Sequence, residues 1–137
     1  MAKYEFMRTS TWQDGWFRSL TNNERLAFLY LFTNDALRPS GIYSLSLEMW
    51  ATFVSLPLKQ LKAIVHKFEA SGKIRYDERE GVIWVVNYFE HNPNNRRQGS
   101  IDGAIRDVLD HSKCCFIKDV LKKYPSLGDG GGMVGEP

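Results

Sequence analysis

Cysteine is nearly missing from this 137-residue chain, and the two that occur, Cys114 and Cys115, are neighbours. Adjacent thiols make a poor structural disulfide, so a disulfide-stapled secreted scaffold is excluded. No CxxC pair exists. A zinc site built from His91, His111, Cys114 and Cys115 would ask two adjacent cysteines to face one tetrahedral ion, which their geometry opposes; no metal is expected. Long apolar runs are lacking as well. The opening MAKYEFMRTSTW holds none long enough for a signal peptide, and no segment approaches the roughly 18 apolar residues of a membrane span. The expectation is a soluble protein of a reducing, cytoplasmic setting with no membrane partner. A phosphate-cradling glycine loop is missing, because GDGGG near the end follows no strand and opens no helix. Cys114, three residues from His111, has no orienting group and no oxyanion hole for nucleophilic catalysis. No enzyme and no cofactor are expected. A large charge of one sign is the last absence: 18 Lys+Arg against 16 Asp+Glu leave +2, which neither requires nor forbids nucleic acid.

What is present is a globular composition, 43% hydrophobic and 13% aromatic, enough for a buried core. The positive surplus is local. Residues 1–56 carry five basic and five acidic side chains, residues 57–88 six and four, and residues 89–124 seven and five. Trp12, Trp16 and Phe17 form an aromatic knot best read as packing on the first helix; the alternative is base stacking on single-stranded nucleic acid. Thr21-Asn22-Asn23-Glu24 has the pattern of a capping box. The helix it starts, through about Asn34, is apolar nearly all round over Leu26–Phe32, as in a helix enclosed by others.

Ser46 to Tyr88 organises the rest. Gly41–Leu45 alternates like a short strand, Ser46 suits an N-cap, and Leu47, Trp50, Ala51 and Val54 make an inward stripe. Pro57 opens a second helix whose apolar residues, Leu58, Leu61, Ile64, Val65 and Phe68, share one face. The other side carries Lys59, Gln60, Lys62, Ala63, His66 and Lys67, with no acid before Glu69. Gly72 ends that helix in the left-handed conformation. Two strand-like runs follow, one with Lys73, Ile74, Arg75 and Tyr76 and the other Val82–Tyr88, around the turn Asp77–Gly81 with Arg79 at its tip. Helix, turn, helix and hairpin in this order specify a winged helix-turn-helix, α+β and mostly helical, with a two- to three-stranded antiparallel sheet. In that fold the 59–67 face enters the major groove of duplex DNA. Lys73, Arg75 and Arg79 can touch phosphate, though three acids in the turn argue against a deeply inserted wing.

Beyond residue 90, a polar stretch with Pro93, Arg96 and Arg97 leads to a helix over about Asn95–Asp110 and a last one over about Cys115–Tyr124. Asp102, Asp107 and Asp110 read as surface charge. The resulting division is a winged helix-turn-helix over 1–90, two additional C-terminal helices over 91–125, and a flexible glycine-rich tail over 126–137.

LTNNERLAFLY (20–30), GIYSLSLE (41–48), FEASGKIRYD (68–77), VIWVVNYFEHNPNN (82–95) and FIKDVLKKYP (116–125) together resemble the N-terminal domain of phage replisome organisers. These are replication initiation proteins of the DnaD-like primosomal type, from phages of low-GC Gram-positive bacteria. The similarity covers residues 4 to 127. It departs at Val54-Ser55, where a glycine is usual. The resemblance implies binding to double-stranded origin DNA and assembly of a nucleoprotein complex that recruits a helicase loader or the replicative helicase. Carried onto this chain, it points to Lys59, Gln60, Lys62, His66 and Lys67, and less directly to Arg96, Arg97 and the wing. The alternatives are a protein-interaction module that self-associates or docks a helicase loader, and a phage transcriptional regulator on the same fold.

Overall fold

Short side chains set the helix starts. The computed structural model describes residues 5, 7–92, 95 and 97–129. After a 3-10 turn, Thr9–Gln13, the Asp14 carboxylate accepts from the Phe17 amide at 2.9 Å and starts α1 (Gly15–Arg18). The capping box is present at α2 (Asn22–Thr33): Thr21 Oγ1 accepts from Glu24 N at 3.2 Å, and Glu24 Oε1 accepts from Thr21 N at 2.8 Å. After β1 (Ile42–Ser44), Ser46 Oγ accepts from Met49 N at 3.2 Å to begin α3 (Leu47–Phe53). The succeeding elements are α4 (Leu58–Ala70), β2 (Ile74–Asp77), β3 (Val82–Val85), α5 (Tyr88–His91), α6 (Gln98–Asp110), α7 (Ile117–Lys123) and α8 (Ser126–Asp129). The fold is α+β and mostly helical, with one small antiparallel sheet.

The sheet order is β1–β3–β2, with β3 paired on both edges. Side chains alternate across a strand, so β3 serves two cores. Ile83 and Val85 face a cluster built from α2, α3 and α4, including Leu31, Trp50, Leu61 and Phe68. Val82 and Trp84 face a second cluster with Ala104, Val108, Phe116 and Val120 from the C-terminal helices and their linker. All four β3 residues are buried, which is why VIWV reads as an unbroken apolar run. Asp107 fastens the second layer. It is buried on α6 and accepts from Arg38 Nε at 3.0 Å, Ser40 Oγ at 2.7 Å and Ser40 N at 3.3 Å. Its burial shows that it is not surface charge, and helical spacing gave no sign of this because its partners lie 67 and 69 residues away.

Other boundaries differ from the sequence reading. β3 stops at Val85, and Tyr88 begins a helical turn, its ring in the first cluster. Of the tail expected over 126–137, Ser126–Asp129 is instead a helical turn with Leu127 buried in the second cluster, and the remainder lies outside the described residues. α2 is not enclosed on all sides, since Leu26 is 48% exposed.

α3 and α4 end in the same hydrogen-bond pattern. Leu56 N donates to Ala51 O and Ser55 N to Thr52 O; Lys73 N donates to Phe68 O and Gly72 N to Glu69 O. Each is a Schellman motif, which needs a left-handed residue after the cap. Gly72 takes φ 73° freely, whereas Ser55 takes φ 58° with a side chain attached. Gly41, at φ 81°, is more constrained, because a Cβ there would lie 2.9 Å from Val85 O and 3.0 Å from Tyr88 Cβ. Ser55→Gly is expected to stabilise the protein by about 0.5–1 kcal/mol, the left-handed cost removed less the freedom glycine adds to the unfolded chain. Gly41→Ala is expected to destabilise it by about 2 kcal/mol or more, since strain and overlap add. Urea unfolding of the two variants reads both signs.

Candidate nucleic-acid interface

α4 buries Leu61, Ile64, Val65 and Phe68 and leaves its other side to solvent. Lys59, Gln60, Lys62, Ala63, His66 and Lys67 are all exposed. The sequence grouping therefore corresponds to one real surface. The turn that sets α3 against α4 is the Ser55 motif, so this left-handed serine helps fix the angle at which the face is presented.

The cations on it are not equivalent. Lys59 and Lys62 have no ion-pair partner among the described residues. Lys67 Nζ holds both Glu24 oxygens, at 2.9 and 3.0 Å, tying α4 to the capping box of α2. Such a partly exposed pair contributes about 0–1 kcal/mol, so a phosphate can compete for Lys67 at small cost. His66 Nδ1 lies 3.9 Å from Glu69 Oε1.

The remaining sequence candidates are not gathered on this face. Lys73 follows Gly72, and its ammonium sits 4.8 Å over the Trp16 ring. Arg75 stands opposite Trp84 in the sheet register, on the side covered by the C-terminal helices, and bonds Asp119 on α7 at 2.6 Å. Arg79 is exposed at the hairpin tip and Arg97 is exposed at the N-cap of α6. Arg96 lies outside the described residues. The turn is less acidic outward than its composition implies. Asp77 is buried and accepts from Glu80 N at 2.9 Å and Cys115 N at 2.7 Å, leaving Glu78 and Glu80 beside Arg79. No helix among the described residues is long and apolar enough to cross a membrane. Compared with protein-family models, curated proteins and solved structures, the chain has no match.

Two surfaces go beyond the sequence reading, which offered base stacking for the Trp12–Phe17 knot only as an alternative and placed no exposed patch on α2. Trp16, Phe28, Phe32, Arg8, Lys73 and Asn87 are among the residues lining a cleft of about 550 Å³ beside the 3-10 turn. On the outside of α2 and α3, Leu26, Met49 and Phe53 are exposed, and Tyr30 stacks on Phe53 with ring centroids 6.0 Å apart. One turn separates Leu26 from Tyr30 and Met49 from Phe53, so the four share a patch. The lines of α2 that looked wholly internal concealed it.

The hydrogen bonds from Glu80 N and then Cys115 N hold the Asp77 carboxyl below its ordinary pKa of 3.8. Its stabilising contribution is accordingly complete above that value and disappears as pH falls through the lower folded value. Asp77→Asn is expected to cost about 1–3 kcal/mol at neutral pH, because an amide cannot accept both bonds. The gap between variant and parent should narrow below pH 3.8, as followed by urea denaturation across pH.

Proposed function

We propose that this chain is a winged helix-turn-helix that binds duplex DNA through the outer face of α4, as the origin-binding module of a phage replication initiator. The observation that carries the reading is the face itself: Lys59, Gln60, Lys62, Ala63 and His66 exposed together, with no acid on α4 before Glu69. The order helix, strand, helix, helix, strand, strand over α2–β3 supports it, as does the tight turn between α3 and α4. Lys59 and Lys62 engage phosphates, which position the helix. Gln60 and His66 supply donors and acceptors for base edges, and Ala63 lets the helix approach them closely. The hairpin, with Arg79 as its outward cation, contacts backbone only. The phage and origin assignments rest on the sequence resemblance.

A second reading, a protein-interaction or oligomerisation module, is favoured by one observation, the exposed patch of Leu26, Tyr30, Met49 and Phe53. Apolar patches on monomers mark contact sites when several large side chains adjoin. The two readings are compatible, because the patch and the α4 face lie on different helix surfaces.

Replacing Lys59, Lys62 and Lys67 together by Ala is expected to weaken duplex binding and flatten its salt dependence by about one slope unit per lost phosphate contact. The Lys67→Ala change alone should have the smallest effect, since its ammonium is shared with Glu24. A mobility-shift titration in which the triple variant binds as tightly as the parent overturns the reading. For the second reading, light scattering should show association that rises with concentration and is lost in Phe53→Ser; a strict monomer at high concentration counts against self-association.

A further inference from the structure

We infer that the cleft beside the 3-10 turn is a binding site for a nucleoside phosphate, separate from the duplex-binding face of α4. Its volume, about 550 Å³, lies in the range of small-molecule sites, roughly 300–1,000 Å³. Its wall is aromatic and its rim is cationic, which is the pairing a base and its phosphate require.

The half-buried rings of Trp16, Phe28 and Phe32 are held by one another and by the core. Trp16 meets Phe28 edge-on at 5.0 Å and Phe68 at 5.6 Å, and Phe28 meets Phe32 at 5.0 Å. Such rings form a fixed platform and need no ordering when a planar base arrives. Arg8 is exposed at the same cleft, and Lys73 is restrained there by the Trp16 ring 4.8 Å below its ammonium. Among the described lining residues the two permanent cations face one carboxylate, Asp14, which accepts from the Phe17 amide at 2.9 Å; a second carboxylate, Glu5, accepts from the Tyr88 hydroxyl at 2.9 Å. Gln13 and Asn87, which bear side-chain amides, also line the cleft. They carry the donors and acceptors that a base edge uses. The sequence pattern explains the arrangement. The aromatic knot at Trp12–Phe17 is divided: Phe17 is fully buried, Trp16 is half-buried at the cleft, and Trp12 is 60% exposed on the outside. Core packing therefore accounts for only part of the knot.

The ligand chemistry is a base joined to a phosphate, whether a free mononucleotide or an unpaired residue of a single strand. The experiment titrates the full chain with thymidine 5′-monophosphate, with a short oligothymidylate and with inorganic phosphate. Calorimetry gives affinity, and amide and indole NMR shifts give the location. The expected result is saturable binding of the mononucleotide, with shifts at the Trp16 indole and the Asn87 side-chain amide. Arg8→Gln combined with Lys73→Gln should weaken binding at least tenfold. Lys59→Ala combined with Lys62→Ala should leave it unchanged. Much tighter binding of the oligothymidylate identifies the source as single-stranded DNA; equal binding identifies a free nucleotide. The inference is overturned if neither nucleotide ligand binds, if inorganic phosphate binds as well as the nucleotide, or if the shifts fall on α4. Duplex binding measured on the same samples separates the two sites: a silent cleft with intact duplex binding refutes only the cleft.

Discussion

The double burial of β3 is the constraint from which the rest of the architecture follows. A strand with both neighbours paired and both faces covered leaves no favourable position for a polar group; Val82, Ile83 and Val85 obey that, while Trp84 buries its indole N–H without a hydrogen-bond partner among the described residues. Each such side chain contributes about 1.5–3 kcal/mol by leaving water. Its alternation also decides which helices lie where. The N-terminal helices cover Ile83 and Val85, and the C-terminal ones cover Val82 and Trp84. α4 is held against the first of these faces through Ile64, Val65 and Phe68, so its remaining side is solvent-facing by geometry and not by composition alone. The Asp107 network matters for the same reason, since it locks the second cover to the loop that enters β1.

Local chemistry was legible in the sequence; distant chemistry was not. The capping box at Thr21, the serine cap at Ser46, the left-handed Gly72 and the apolar stripes of α3 and α4 all act within one or two helical turns. The α4 surface grouping follows from the 3.6-residue period and matches the structure residue for residue. Ser55 is the instructive local exception. Its position calls for glycine, and the chain accepts a strained serine in the same hydrogen-bond frame.

What the sequence did not disclose lies in pairs separated by many residues. Lys67 with Glu24 and Arg75 with Asp119 are 43 and 44 positions apart, and neither pairing leaves a periodic signal. Both reduce the apparent cationic surface, one partly and one by turning the guanidinium toward the C-terminal layer. The turn Asp77–Gly81 shows the reverse effect, because burial of Asp77 removes an acid from the surface that composition assigns to it. The aromatic knot and the α2 run were ambiguous for a different reason. Apolar residues look alike in sequence whether they fill a core, wall a cleft or form an exposed patch, and only the position of neighbouring elements separates these cases.

The two-sided burial of β3 also has a consequence for biosynthesis. By the time Tyr88 has left the ribosome, every residue named in the first cluster is available, and the N-terminal helices can close over Ile83 and Val85. Val82 and Trp84 must wait for Ala104, Val108, Phe116, Val120 and Leu127. During that interval the nascent domain carries a wet tryptophan-bearing sheet face, the kind of surface on which chains aggregate or chaperones act. Among the described residues, the turn Ser126–Asp129 is the final piece of chain to reach that face, and Leu127 is the final side chain of its cluster.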